Sequence, residues 1–333
     1  MPKRKGNLME QIAEPDNLRL AFYKAAKGRQ TNEDVIAYRK QLDSHLVTLR
    51  NQLLTGSVPV GQYHYFTVYD PKERVICAAS FHERVMHHAV MNVCHPVFES
   101  FLIFDTYATR KGKGQYAALD RAKRFARQYR WFCKMDVRKY FDSIDHGILL
   151  SKLERRFKDA RLLELFSQIV HSYSTAPGRG IPIGNLTSQY FANFYLGFAD
   201  RFLKEELAVK AYVRYMDDMV VFSSSKESLL AISRDFTDYV AAELNLQLKP
   251  ACVNSLSRGL PFLGYVVFAD AVRLSKTSRK RFITKLKFYA SQLTKGIWSQ
   301  ADFSKRTTPL IAFTQHAHSA ALRRSVLYKL EAG

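Results

Sequence analysis

The spacing of apolar positions changes along this chain, and each change marks an element. Residues 1–64 read as mostly helical, most clearly from Glu33 to Leu54. Tyr65–Tyr69 and Arg74–Ala79 are rich in strand formers and read as paired strands joined at Asp70-Pro71. Helical patterns follow from Phe81 to Val97 and, strongly basic, from Gln115 to Tyr129. Trp131 to Asp136 reads as a short strand, with a turn and a helix from about Asp145 to Arg156 behind it. Long helices are expected from Thr187 to Leu207 and from Lys226 to Leu244. Between them, Ala211–Arg214 and Met219–Phe222 form the arms of a hairpin around Tyr215-Met216-Asp217-Asp218. One more strand is expected near 262–267, and the chain from Ser275 onward is helical. Antiparallel strands with helices on one face make an α+β arrangement. No repeat, low-complexity tract or long flexible linker divides the sequence.

The hairpin tip carries the most informative residues. Asp217 and Asp218 put two carboxylates side by side, with no lysine beside them. Like charges that close do not both stay ionised without help. A divalent cation is the usual help, because Mg²⁺ takes hard oxygen ligands. An Asp pair next to apolar residues also reads as an ordinary turn. Asp136, at the end of a second strand, shifts the balance, because a two-metal site draws carboxylates from separate elements.

Charge narrows the partners. Lysine and arginine exceed the acidic residues to give a net charge of +21 in 333 residues. Such a balance favours a polyanion, since each neutralised phosphate releases counterions. No apolar run is long enough for a transmembrane helix, and the basic start Met1-Pro2-Lys3-Arg4-Lys5 lacks the apolar stretch of a signal peptide. Cys77, Cys94, Cys133 and Cys252 form no Cys-x-x-Cys pair, and the histidines lack metal-ligand spacing. A reducing, cytoplasmic setting without zinc or a disulfide framework is expected.

Asp136 with Phe141 five residues on, and Tyr215-Met216-Asp217-Asp218, resemble motifs A and C of a reverse transcriptase palm. Gly180–Gln189 resembles motif B, Leu244–Lys249 motif D, and Pro261–Tyr265 the primer-grip hairpin. Lys72–Ile76 and Tyr107–Gly114 resemble the fingers motifs, and the blocks keep the family order. The resemblance implies a right-hand polymerase fold: a helical N-terminal region at 1–64, fingers at 65–130, an antiparallel-sheet palm at 131–270 and a short, basic helical thumb at 271–333. It implies RNA-directed DNA polymerase chemistry with two Mg²⁺ ions, Mn²⁺ being a substitute. Asp136 and Asp217 would hold the ions, with Asp218 as supporting carboxylate and the Val137 carbonyl as a further ligand. Lys72 and Arg74 would grip the triphosphate, Phe141 would gate out a ribose 2′-hydroxyl, and Gly184 would line the dNTP site. Phe262, Leu263 and Gly264 would form the primer grip.

Motif B departs from most relatives, which carry Gln-Gly and then Ser-Pro. Here Ile183-Gly184 is followed by Ser188-Gln189, a combination resembling enzymes of diversity-generating retroelements. That resemblance implies copying of a template-repeat RNA into cDNA with errors at template adenines. Fidelity would turn on Ile183, Arg74 and Gln189. The implied partners are template RNA, cDNA, dNTPs and a small basic pentameric accessory protein, with no membrane, in a bacterial or phage-encoded system. A retron- or phage-defence-type enzyme is the alternative, and a scaffold built on an inactive polymerase fold is another. About 60 residues follow the primer grip, so no nuclease domain is expected.

Overall fold

The computed structural model describes residues 4–69 and 73–331; the expected turn Asp70-Pro71 and Lys72 lie outside the described residues. Helices α1 (Met9–Ile12), α2 (Pro15–Ala26), α3 (Glu33–Lys40) and α4 (Leu42–Thr55) come first. The strands β1 (Tyr63–Tyr69) and β2 (Glu73–Ala79), α5 (Phe81–Phe101), α6 (Gln115–Gln128) and β3 (Trp131–Asp136) follow. Then come α7 (Tyr140–Ser143), α8 (His146–Glu154), α9 (Ala160–His171) and α10 (Leu186–Arg201), the last continued by a π-helical turn at Phe202–Glu206. Strands β4 (Ala211–Tyr215) and β5 (Asp218–Ser223), α11 (Lys226–Leu244) and β6 (Cys252–Ser255) lead to the short strands β7 (Leu260–Phe262), β8 (Tyr265–Val267) and β9 (Val272–Leu274). Helices α12 (Lys276–Thr294), α13 (Gln300–Gln315) and α14 (Ala320–Glu331) complete a mixed α+β fold. None of the described helices is long and apolar enough to cross a membrane.

The chain forms two compact units. The first gathers the residues up to Phe104 with 137–208 and 235–249. Its spine is α5, which buries Val85, Met86, Ala89, Val90, Cys94 and Phe98 at helical spacing. The helix runs past the expected end at Val97 because Phe98 and Phe101 pack on Phe194 of α10, with ring centroids 5.5 and 4.9 Å apart. The expected helix from Glu33 to Leu54 breaks at Gln41, where φ is −124° and ψ 38°. Before the break Tyr38 stacks on Phe22; after it Leu46, Leu49 and Leu53 turn inward.

The second unit gathers 105–136, 209–234 and the chain from Pro250 onward. Its antiparallel sheet has the order β4-β5-β3-β6. One core cluster gathers Phe132, Val213, Val220 and Phe222 with Leu119, Ala122 and Phe125 of α6. It takes in Leu260, Phe262, Tyr265 and Val267 from the three-stranded sheet β7-β8-β9. Where the pattern predicts one strand near 262–267 and the resemblance a hairpin at Pro261–Tyr265, the structure has the hairpin β7–β8. Leu263 and Gly264 both have positive φ, +50° and +84°, as a two-residue type I′ turn requires. Helix α12 is capped by the Ser275 hydroxyl, and a capping box of Ser299 and Asp302 opens α13.

Candidate active site

Tyr215 and Asp218 face each other as the last pair of the β4–β5 ladder, leaving Met216 and Asp217 as a two-residue tip. Met216 takes a left-handed φ of +54°, where such turns usually carry glycine. The fully buried Arg214 secures the turn, donating from Nη1 to the Met216 carbonyl at 3.0 Å. The Arg214 backbone bonds on both sides, its N–H to the Asp105 carbonyl and its carbonyl to the Tyr107 N–H. Asp105 pairs in turn with Arg121 at 2.8 Å. The sequence places Arg214 in a hairpin arm without assigning it a role; a charged residue in an otherwise apolar strand is the signal that could have found it.

β3 lies beside β5, with Asp136 directly opposite Asp218. Side chains two apart on a strand share a face, so Lys134 lies on the face that carries these carboxylates. Its Nζ is 3.0 Å from Asp218 Oδ1 and 3.2 Å from Oδ2, and it donates to the Pro261 carbonyl at 3.0 Å. The expectation that no lysine stands beside the Asp pair is therefore corrected: none does along the chain, but the ladder brings one from the neighbouring strand. Burial pushes the Asp218 carboxyl up to about 6; Lys134 opposes that shift, while Asp217 and Asp136 add to it.

Among the described residues no three His, Cys, Asp or Glu side chains group to hold a metal ion. Asp136, Asp217 and Asp218 offer hard oxygen donors from two elements, and Asp218 Oδ1 is a buried oxygen without a hydrogen-bond partner among the described residues. Mg²⁺ commonly takes one or two carboxylates and completes its shell with water and substrate phosphates, so this donor set fits it. Val137 is buried and forms an antiparallel bridge with Leu248.

The first unit brings other sequence-predicted residues together. Cys77 of β2 donates its N–H to the Ile183 carbonyl at 2.8 Å, and Ile181 donates to the Phe141 carbonyl at 2.9 Å. Gly184 has φ +121°, and a Cβ there would stand 2.8 Å from Ile76 Cγ2 and 3.2 Å from the Cys77 carbonyl oxygen. Only glycine lets this loop lie so close to β2. Ile183 and Phe141 are half-buried, and Arg74 and Gly184 are exposed. Gln189 stands in the first turn of α10, half-buried, its N–H on the Asn185 carbonyl.

Sequence reasoning did not foresee the grooves. In the first unit, a cavity of about 840 Å³ is lined by Arg29, Gln62, His64, Phe66, Ile76 and Arg84, among others. His64 and Phe66 stack with centroids 6.2 Å apart. A smaller cavity of about 220 Å³ shares Arg29, Arg84 and Gly184 and adds Lys24, Lys27 and Gln189. Cations interleaved with aromatic rings suit a single nucleic-acid strand. In the second unit, a cavity of about 480 Å³ is lined by Tyr116, Tyr215, Arg281, Lys285, Arg306 and Phe313. Of the residues expected to form a primer grip, Phe262 is buried, Leu263 half-buried and Gly264 exposed; the Gly264 carbonyl accepts from Ser275 N–H at 3.0 Å.

Residues 70–267 match the family described as reverse transcriptase (RNA-dependent DNA polymerase). Protein YkfC of Escherichia coli K12 is 23% identical, over 78% of this chain and 81% of its own length. The group II intron-encoded protein LtrA of Lactococcus lactis subsp. cremoris is 24% identical over 44% of this chain. A putative COX1/OXI3 intron 1 protein of Saccharomyces cerevisiae is 22% identical over 60%. The chain spans about a quarter of the length of both intron proteins. A solved apo telomerase from Candida tropicalis matches 64% of this chain and 55% of its own, with 13% identity and a TM-score of 0.47. The family match covers more than half of the chain, which therefore belongs to the reverse transcriptases and carries an RNA-directed DNA polymerase domain.

Proposed function

We propose that this reverse transcriptase copies a template-repeat RNA into cDNA with errors concentrated opposite adenines, for diversification of a target gene. The observation that carries the reading is the motif B loop, Ile183-Gly184 followed by Ser188-Gln189. Ile183 neither donates nor accepts through its side chain, so polar positioning of the templating pair is lost where relatives carry glutamine. The resemblance of this loop to the enzymes of diversity-generating retroelements adds the template RNA, its flanking sequence and a small basic pentameric accessory protein as partners.

Asp136 and Asp217 hold Mg²⁺ in this reading, with the Val137 carbonyl beside them. Bound there, the metal supplies charge neutralisation for the primer 3′-hydroxyl and the pyrophosphate leaving oxygen. Arg74 and Lys72 grip the triphosphate, a task that suits cationic forks and ammoniums. Phe141 lies under the sugar and excludes a 2′-hydroxyl. The template strand runs along the groove of Arg29, Arg84, His64 and Phe66, in the region read as fingers (65–130) and N-terminal helices (1–64). The product duplex rests against Arg281, Lys285 and Arg306 of the thumb (271–333), next to a palm at 131–270.

The test is cDNA synthesis on a defined adenine-containing RNA with dNTPs and Mg²⁺, with and without the accessory protein, followed by sequencing. Errors clustered opposite adenines, reduced by Ile183→Gln, support the reading. Faithful cDNA moves it to a retron- or defence-type enzyme, and an unchanged error spectrum in Ile183→Gln removes Ile183 from the account.

A further inference from the structure

We propose that the cleft at the N-terminus of α10 holds a backbone phosphate of the RNA template, and that Gln189 adds a contact there that a proline could not make. The proposal rests on the reading that the template runs along the groove of Arg29 and Arg84. Helix α10 runs for 16 residues from Leu186, and its N-cap residue Asn185 makes no side-chain cap. The leading N–H groups of a helix have no partner inside it, and with the helix dipole they attract anions.

Asn185 adds a buried donor to these N–H groups. It is 2% exposed and lines the cleft. Its Oδ1 accepts from Ala79 N–H at 3.3 Å, which fixes which end of the amide is oxygen. Its Nδ2 is buried and has no hydrogen-bond partner among the described residues. A buried donor left unpaired costs free energy that an acceptor in the cleft would return. Lys27, Arg29 and Arg84 line the cleft too, and no described carboxylate does.

The cleft measures about 220 Å³. Pockets for small molecules begin at roughly 300 Å³, so it takes a phosphate group rather than a whole nucleotide. It shares Arg29, Arg84 and Gly184 with the larger cavity, where His64 and Phe66 stack. Backbone and bases of one strand thereby find adjoining surfaces. Gln189, at the position where most relatives carry proline, stands in the first turn of α10 and lines the same cleft. Its amide can donate to a phosphate oxygen, and a proline side chain offers no donor. The departure from proline therefore acts on the template's backbone and not on its bases. A dNTP triphosphate offers the same chemistry, and the experiment separates the two.

The full chain is titrated across a salt series with a DNA primer annealed to a fluorescent RNA template that carries a single-stranded overhang. A blunt duplex of the same sequence, the dNTP KM and the melting temperature are read alongside. Asn185→Asp keeps the acceptor for Ala79, and Gln189→Glu keeps the side-chain length. Both put a carboxylate where a helix N-terminus favours one, so folding is retained while a phosphate is repelled. Each is expected to weaken binding of the overhang template about tenfold, with blunt-duplex binding and dNTP KM within about twofold. Gln189→Ala should weaken it about threefold without changing the salt slope. Arg84→Gln should lower the slope of log affinity against log salt by about 0.7, the share of one phosphate on a single strand. Lys40→Gln, which removes an exposed cation of α3, should change neither. If Asn185→Asp melts early, the variants of half-buried Gln189 carry the test.

Overhang binding unchanged in Gln189→Glu overturns the proposal, as does an equal penalty on the blunt duplex. A raised dNTP KM with template binding unchanged hands the cleft to the triphosphate and overturns it too. Arg84→Gln and Phe66→Ala test the groove itself. If both leave binding unchanged, the template path fails; if they weaken it while Asn185→Asp and Gln189→Glu do not, the path stands and the phosphate site falls.

Discussion

Gly184→Ala tests how the motif B loop is held, and the structure sets its size. The residue sits at φ +121°, which L side chains rarely adopt. Strain of that kind costs about 1–3 kcal/mol. The new methyl would stand 2.8 Å from Ile76 Cγ2 and 3.2 Å from the Cys77 carbonyl oxygen. Carbon pairs sit comfortably at about 3.5–4.0 Å, so the loop or β2 has to yield by about 0.7 Å. Overpacking of this sort adds about 1–3 kcal/mol, and the stiffer unfolded chain returns about 0.4–1 kcal/mol. On these figures the net loss lies between about 1 and about 5.5 kcal/mol, centred near about 3 kcal/mol. Relief by lifting the loop would stretch the 2.8 Å bond from Cys77 N–H to the Ile183 carbonyl. Gly178 is the control: its φ is +69°, and a Cβ there meets nothing within 4 Å. Gly178→Ala should lose only about 1 kcal/mol, from the left-handed backbone alone. Urea unfolding midpoints and the KM for dNTPs are the readouts. Gly184→Ala should shift the midpoint more than Gly178→Ala and raise the dNTP KM, and Ile76→Ala should win back part of the loss. Equal shifts for the two glycines, with dNTP KM unchanged, would refute the close approach as the reason for glycine.

Two more predictions follow from burial. Phe141→Val should raise ribonucleotide incorporation relative to dNTPs about tenfold or more in primer extension, if the ring gates the sugar. Burial lifts Glu83 from its ordinary 4.5 to about 7 in the folded chain, against the N–H groups of Gly61 and Gln62. The folded state then keeps a proton that the unfolded state has released, so stability falls as pH rises from about 4.5, and the loss is complete above about 7. Between pH 5.5 and 8.5 that amounts to about 2 kcal/mol. Glu83→Gln should remove this loss while the neighbouring His87, pushed down to about 3 by burial, contributes alike in both proteins. Melting curves at the two pH values read the difference, and parallel losses in both proteins would discard the argument.

The bounds of β3 and α11 were readable from the chain, because each is a clean run between polar stops. The β4–β5 hairpin was readable for the same reason: two buried strands flank a polar tip. The split at 262–267 was legible only through the resemblance of Pro261–Tyr265 to a primer-grip hairpin, since Leu263 is not a residue type that advertises a left-handed turn. Helix α9 was passed over, although Leu162, Leu165, Phe166, Ile169 and Val170 repeat at helical spacing behind an Asp159 cap. Lys134 was invisible as a partner of the Asp pair, because its contact to Asp218 spans 84 positions and exists only once β3 and β5 are in register. Local pattern names elements and turn tips; it does not say which strand will lie beside which.

That register has an evolutionary consequence. Asp136 meets Asp218 only because five further pairs, Trp131 with Ser223 through Met135 with Met219, hold the ladder in step. A strand's period is two, so deleting one residue between Trp131 and Asp136 would turn every side chain of that stretch to the opposite face. Substitutions in β3 are graded insults, each removing a little packing. An insertion or deletion there is all-or-none, moving a carboxylate away from its counterpart while leaving composition almost untouched. Length variation should therefore gather in this chain's loops and avoid the six residues of β3.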